Sequence, residues 1–240
     1  MPGYHRNSKG FTLVELMVAI GLAAVVMAGI YTAYRAQAAS YLAQESVVDM
    51  MQNGRTAMFY LQREIRMSGF DPRRTADAGF VANFASPYSG SGAATNSSSI
   101  AFTADDDEDG AIDPASAEMI AFRLDGSNRL QRFMIDPGTL SGGWETLAEN
   151  IDVLDFVYLD GADPPNVLTP PLSAAQLAAI RSVQVTVVAR TGQNPSPLIK
   201  AKTDRQVYRN QQDTVLLNPG GDNFTRTVLS AQILCRNLGL

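Results

Sequence analysis

The sequence predicts an α+β protein in which one long N-terminal helix packs on an antiparallel β-sheet head. Three features carry that expectation. Residues 11–34, FTLVELMVAIGLAAVVMAGIYTAY, are apolar apart from Glu15. From Val47 to Ile65 apolar residues recur at three- and four-residue steps, the period of a helix with one buried face. Beyond Pro72 the pattern changes to short β-branched and aromatic runs divided by Gly, Pro, Asn and Asp, the punctuation of strands and turns.

At 240 residues, 45% hydrophobic and 18% charged, the chain has the make-up of a folded protein with one full domain and one further element. Its formal net charge is −5. Residues 1–10 hold Arg6 and Lys9 and no acid, so without them 17 basic residues face 24 acidic ones, a net of −7. That balance argues against a nucleic-acid surface of diffuse positive charge. The single cysteine, Cys235, has no internal disulfide partner and reads as a small apolar residue packed in a late strand.

The first element is polar and short, MPGYHRNSKG, and the 24 residues behind it would reach about 36 Å as a helix, enough to cross an apolar layer of about 30 Å with some tilt. Positive residues ahead of the span are expected to stay cytoplasmic, which sends everything after Arg35 to the other side. A general secretory signal is cut behind its apolar stretch, whereas the informative junction here lies in front of it. That junction, Lys9-Gly10-Phe11-Thr12-Leu13-Val14-Glu15, closely resembles the prepilin peptidase site of type IV pilins and type II secretion pseudopilins. The resemblance implies a cut after Gly10, N-methylation of Phe11, and an assembly role for Glu15, the fifth residue after the cut. A carboxylate in an apolar helix costs about 3 kcal/mol on insertion scales and so needs a partner. The family implies the Phe11 ammonium group, on the same or a neighbouring subunit. The competing reading is an ordinary signal anchor with a stray Glu.

Residues 35–68 continue the helix in amphipathic form, with Val47, Met51, Gly54, Met58, Leu61 and Ile65 on one stripe and no proline from Phe11 to Met67. A helix of about 57 residues is about 85 Å long, and its second half must bury the stripe against a head. Gly54 either lets a strand approach closely or is simply tolerated; Gly21 and Gly29 weaken the apolar half modestly and could help it bend. Ser68-Gly69-Phe70-Asp71-Pro72 stops the helix with a glycine and a following proline.

Residues 69–240 form the β-rich head. Strands are expected at Phe80–Phe84, Ile100–Thr103, Glu118–Leu124, Arg129–Ile135, Ile151–Leu159, Val183–Arg190 and Thr227–Arg236. Asp125-Gly126-Ser127-Asn128 joins two of them as a hairpin turn, and Ser173 caps a short helix to Ile180. Ser86–Ser99 reads as a flexible surface loop, and Asp160–Pro171, with four prolines, as an exposed one.

Residues 105–113, DDDEDGAID, place Asp105, Asp107 and Asp109 at alternate positions before Gly110. Alternate side chains curl toward one point, and the set predicts a calcium loop over 105–118 with ligands Asp105, Asp107, Asp109, the Ala111 carbonyl, Asp113 and Glu118. All are hard oxygen donors, which favours calcium over a transition metal. The twelfth loop position is Ser116 rather than the bidentate Glu of an EF-hand, so the loop is expected between strands with Glu118 as substitute. The alternative is a solvated acidic loop that is mobile without a cation.

His5 is the sole histidine and lies ahead of the cut, Cys235 has no histidine to activate it, and no phosphate loop occurs, so no enzyme is expected. Asp152 and Asp155 on one strand face opposite ways.

The layout is similar to a pilin. Gln52-Asn53-Gly54-Arg55, Leu61-Gln-Arg-Glu-Ile-Arg-Met-Ser-Gly-Phe70 and the terminal Arg236-Asn237-Leu238-Gly239-Leu240 resemble minor pilins of the PilW type. The resemblance implies a subunit anchored once in the bacterial inner membrane with its head in the periplasm, then carried into a pilus at the cell surface, where it helps initiate or cap assembly. Implied partners are other pilins through the N-terminal helix, the prepilin peptidase, the inner-membrane assembly platform, and lipid before assembly. A J-type pseudopilin and a tip adhesin, with loops 86–99 and 160–171 as its surface, are the alternatives.

Overall fold

A computed structural model describes residues 10–84, 88, 90–113, 117–136, 139, 141–192 and 203–239. It is α+β, and its described residues divide into two compact units, 10–45 and 46–192 with 203–239. Helix α1 runs unbroken from Leu13 to Met67 and contributes to both. The leader residues 1–9 lie outside the described residues.

In the first unit the stretch of α1 from Leu16 to Tyr34 is apolar on every side, and none of the helix's most apolar 18-residue window is buried; by length and composition that window can cross a membrane. In the second unit one stripe of α1 is buried: Met50, Gly54, Ala57, Met58, Leu61 and Ile65. The stripe differs from expectation at one step, since Met50 is buried and Met51 exposed. A 3.6-residue period puts 50, 54, 57, 61 and 65 on one line, and Met51 falls beside it. The helix stops where anticipated. Gly69 takes φ +72°, a side chain there would collide with Leu238, and its N–H donates to the Thr103 carbonyl at 3.0 Å.

Strands β1 (Ser99–Thr103), β2 (Met119–Leu124), β3 (Leu130–Asp136) and β4 (Ser141–Ala148) form an antiparallel meander in chain order. The β2–β3 turn is set by Asp125, whose Oδ1 accepts the N–H groups of Ser127 and Arg129 at 2.9 Å each, with Asn128 at φ 60°. A second sheet has the order β10-β7-β5-β6, built from β5 (Ile151–Leu159), β6 (Val167–Leu168), β7 (Ser182–Arg190) and β10 (Arg226–Leu234). Between β6 and β7, α2 (Ala174–Ala179) starts with the reciprocal Ser173–Gln176 capping box. A small hairpin, β8 (Tyr208–Arg209) with β9 (Val215–Leu217), rests on the second sheet: Asn210 donates to Asp155 at 3.0 Å and Gln212 to Gln184 at 2.9 Å.

One core joins the α1 stripe to both sheets, with Ile100, Phe102, Phe122, Leu154, Phe156 and Val185 among its members. A second cluster lies on the other face of the first sheet, where Phe133 meets Phe84, Tyr88 and Trp144 at ring-centroid distances of 5.4–5.6 Å. This cluster corrects two expectations. Phe80–Phe84 is no strand but contributes isolated bridges, Phe80 to Phe102 and Asn83 to Ala94. The described part of 86–99 is a packed cover with Tyr88, Ala93 and Thr95 buried; residues 86, 87 and 89 lie outside the described residues. The Thr95 hydroxyl donates to the Val81 carbonyl at 2.6 Å, and the Trp144 ring N–H to the Ser91 carbonyl at 2.9 Å. Small polar residues satisfy backbone there rather than leaving it to water. By contrast Asp160–Pro171 is mostly exposed as expected, although Asp160 is half-buried and Val167–Leu168 within it pairs with β5 as β6.

Gly54 has a definite neighbour: a Cβ on it would lie 2.8 Å from Leu229 Cδ1 on β10 and 3.3 Å from Ala189 Cβ on β7. The sheet approaches the helix backbone at that point. Cys235 is buried one residue past β10, and burial pushes its thiol up to about 11.

Candidate functional site

The N-terminal site is exposed. Gly10 has no heavy atom within 4 Å of where a Cβ would stand, and Phe11 precedes the first turn of α1, exposed to solvent. Thr12 and Glu15 form the reciprocal cap of a helix start: Glu15 N–H donates to Thr12 Oγ1 at 3.2 Å, and Glu15 Oε2 accepts the Thr12 N–H and hydroxyl at 3.0 Å each. A carboxylate in the first turn is also favoured by the helix dipole. Reading Glu15 only as the partner of a terminal ammonium missed this; the signal was T-x-x-E ahead of an apolar run.

The acidic loop leaves β1 and returns at β2. Asp105 and Glu118 are fully buried while Asp107 and Asp109 are exposed, and one carboxylate oxygen from each of Asp105, Asp107 and Asp109 comes within 4.8 Å of the others. Backbone donors wind the loop. Asp109 N–H donates to Asp105 and Asp107 carboxylates at 3.1 Å, Gly110 N–H to Asp105 at 3.1 Å, and Ala111 N–H to Asp109 at 2.8 Å. Gly110 takes φ +89°, the conformation that suits glycine at the sharp turn. Glu118 stands behind this cluster and pins both ends of the loop, accepting from Asp113 N–H at 2.7 Å and Asp107 N–H at 3.5 Å. Ala111 and Asp113 are exposed on the return path, and Ser116 lies outside the described residues. A clamp from 71–77 holds the other side: Arg73 donates to the Asp109 carbonyl at 3.0 Å and Thr75 to that of Gly110 at 2.9 Å. Three converging carboxylates beside a wound backbone can chelate a hard cation.

A second carboxylate cluster carries its own cation. Arg226, 3% exposed, reaches Asp152 at 2.6 Å, Asp204 at 2.9 Å and Asp222 at 2.5 Å, and Arg190 also pairs with Asp152 at 3.0 Å. Both guanidiniums stack over Phe224, at 4.4 and 5.5 Å from its centroid. The Arg226 hydrogen bond holds Asp222 below the usual carboxylate range. For Asp204, burial works upward but is outweighed by the Gln206 N–H and Arg226, so it too is lowered. Asp155 is raised by burial against the opposing Asn210 bond. Asp152 and Asp155 thus meet different partners. The cluster eluded sequence reading because its members come from four segments far apart in the chain, around Asp152, Arg190, Asp204 and Asp222–Arg226.

Residues 44–209 match the family model described as Prepilin peptidase-dependent protein B, and residues 5–31 match the Prokaryotic N-terminal methylation motif. No curated protein matches the chain. Among solved structures, a type IV-like pilin from Thermus thermophilus aligns with a TM-score of 0.47 at 12% identity, over 80% of this chain and 98% of that one.

Proposed function

The chain belongs to the prepilin peptidase-dependent protein B family, and on that premise we propose that it is a PilW-type minor pilin of the complex that primes or caps a type IV pilus. It is a type IV pilin-like protein processed by the prepilin peptidase. The observation that carries the proposal is the first half of α1, apolar on every side, exposed, and headed by the cleavage motif. After the cut behind Gly10 the helix sits in the inner membrane with the head in the periplasm, then leaves lipid for a bundle of like helices on the assembly platform. Its surface is as apolar as lipid, so packing with sister helices and charge compensation drive the exchange. Glu15 then passes from its Thr12 cap to the methylated ammonium of Phe11, on its own or a neighbouring subunit. The function is carried by packing rather than catalysis.

Calcium ordering of the 105–118 loop belongs to the same proposal, supported by the converging Asp105, Asp107 and Asp109 and the Arg73–Thr75 clamp. Calorimetric titration of the full mature chain in detergent is expected to give saturable calcium binding that Asp105→Asn abolishes. No heat at millimolar calcium removes this part.

Deleting the gene and scoring piliation, secretion and surface binding separately tests the role. Pili lost with secretion intact is the expected result. Secretion lost with pili intact assigns a J-type pseudopilus instead, and binding lost from normal pili assigns a tip adhesin.

A further inference from the structure

We propose that the C-terminal end of α1 docks a carboxylate-bearing, apolar-tipped face of a different subunit. In the head, a groove of about 600 Å³ runs between the last turns of α1 and the first sheet, with Phe59, Arg63, Arg66 and Met67 on the helix side and Ile120 and Arg132 opposite. A second groove of about 460 Å³ shares Arg66 and Met67 and adds Leu234 and Arg236. Arg66 and Met67 therefore form a ridge between two grooves. Phe59 is 61% exposed at the rim, and Met67 and Leu234 are also open to solvent.

Charge selects the occupant. Arg132 is spent on Glu64 at 3.3 Å, but Arg63, Arg66 and Arg236 form no ion pair among the described residues. Among the described residues the first groove holds one further carboxylate, Asp106, and the second holds none. A chain of net charge −5 thus gathers unpaired guanidiniums around exposed apolar side chains. Arginine forks bind carboxylates in a fixed geometry, and arginine and aromatic residues are enriched where interfaces are anchored. Ridge to ridge, a second copy would repel it, and the fitting partner face carries acids around an apolar residue. This rests on the subunit reading only for where the partner is found.

The test places a photoreactive residue at the rim, Phe59→benzoylphenylalanine, in cells making filaments, and identifies adduct peptides by mass spectrometry. The expected adduct joins Phe59 to a peptide of another processed subunit with carboxylates flanking the cross-linked position. Combining Arg63→Glu with Arg66→Glu lowers its yield about tenfold, whereas the matching lysine substitutions keep most of it. Unfolding midpoints of all variants stay together, which separates lost docking from lost folding. A processed chain in filaments that gives no adduct, links only to lipid, to a second copy or to a peptide without acids, or ignores charge reversal overturns the docking proposal alone. A chain still carrying residues 1–10 and confined to the membrane overturns the subunit reading and this proposal together.

Discussion

In the first half of α1, Leu22 is 64% exposed and Val26 60%, with no packing around them; in the second half Leu61 and Ile65 are fully buried against two sheets. Both halves are rich in apolar residues, and their distribution around the axis separates them. From Leu16 to Tyr34 no side of the helix is polar, so the segment requires an apolar surrounding. From Ser46 to Met67 the buried apolar residues hold one stripe, while Arg55, Arg63 and Arg66 occupy exposed positions beside Phe59 and Met67. An all-round apolar helix is made for lipid or other helices, and a striped one for a single covering layer.

The comparison breaks most readily at Leu61. Leu61→Ala should destabilise the head by about 2–5 kcal/mol in denaturant titration, while Val26→Ala should change it by less than about 0.5 kcal/mol. Equal effects would mean that the first half is also part of the folded core. Gly54→Leu comes next, costing about 1–3 kcal/mol because Leu229 and Ala189 already fill the space. Acid sharpens the contrast further. Asp204 and Asp222 have lowered values in the fold, so their contribution is present above the unfolded Asp value of about 3.9 and is lost as pH falls through the folded values. Denaturant midpoints should therefore drop below about pH 4, and Asp222→Asn should flatten that slope. Between Glu15 and Glu45 the helix holds no carboxylate, so helicity behind the Glu15 cap should not follow. The smallest effect belongs to Gly21→Ala, where nothing lies within 4 Å: head stability is unchanged and local helicity rises by at most about 1 kcal/mol.

Much of this fold was legible because its signals are local. An unbroken apolar run, the absence of proline and Gly69 before Pro72 mark both ends of α1, and the β-branched runs of β5 and β7 stand in the sequence as they do in the sheet. Where signals were weak, structure was missed. The strand β4, SGGWETLA, is an edge strand exposed along most of its length, so it shows no alternation. Phe80–Phe84 looked like a strand because its aromatic residues are buried, yet they serve as a lid. At the sites, Asp105, Asp107 and Asp109 were legible from spacing, since neighbours in sequence supply all three. The Thr12 cap is local but overlaps the Glu15 of the cleavage motif, whereas the Arg73–Thr75 clamp and the Arg226 cluster depend on long-range contacts that spacing does not encode.

The central claim is that the exposed first half of α1 exchanges lipid for sister helices. Site-directed cross-linking from Val26→Cys measures it directly, because the only native thiol, Cys235, is buried and raised to about 11. In filament fractions the account predicts links from residue 26 to the N-terminal segment of a neighbouring subunit, while in the membrane fraction the same residue reacts with a lipid-phase reagent instead. Identical labelling in both fractions, or a chain never recovered with filaments, would contradict it.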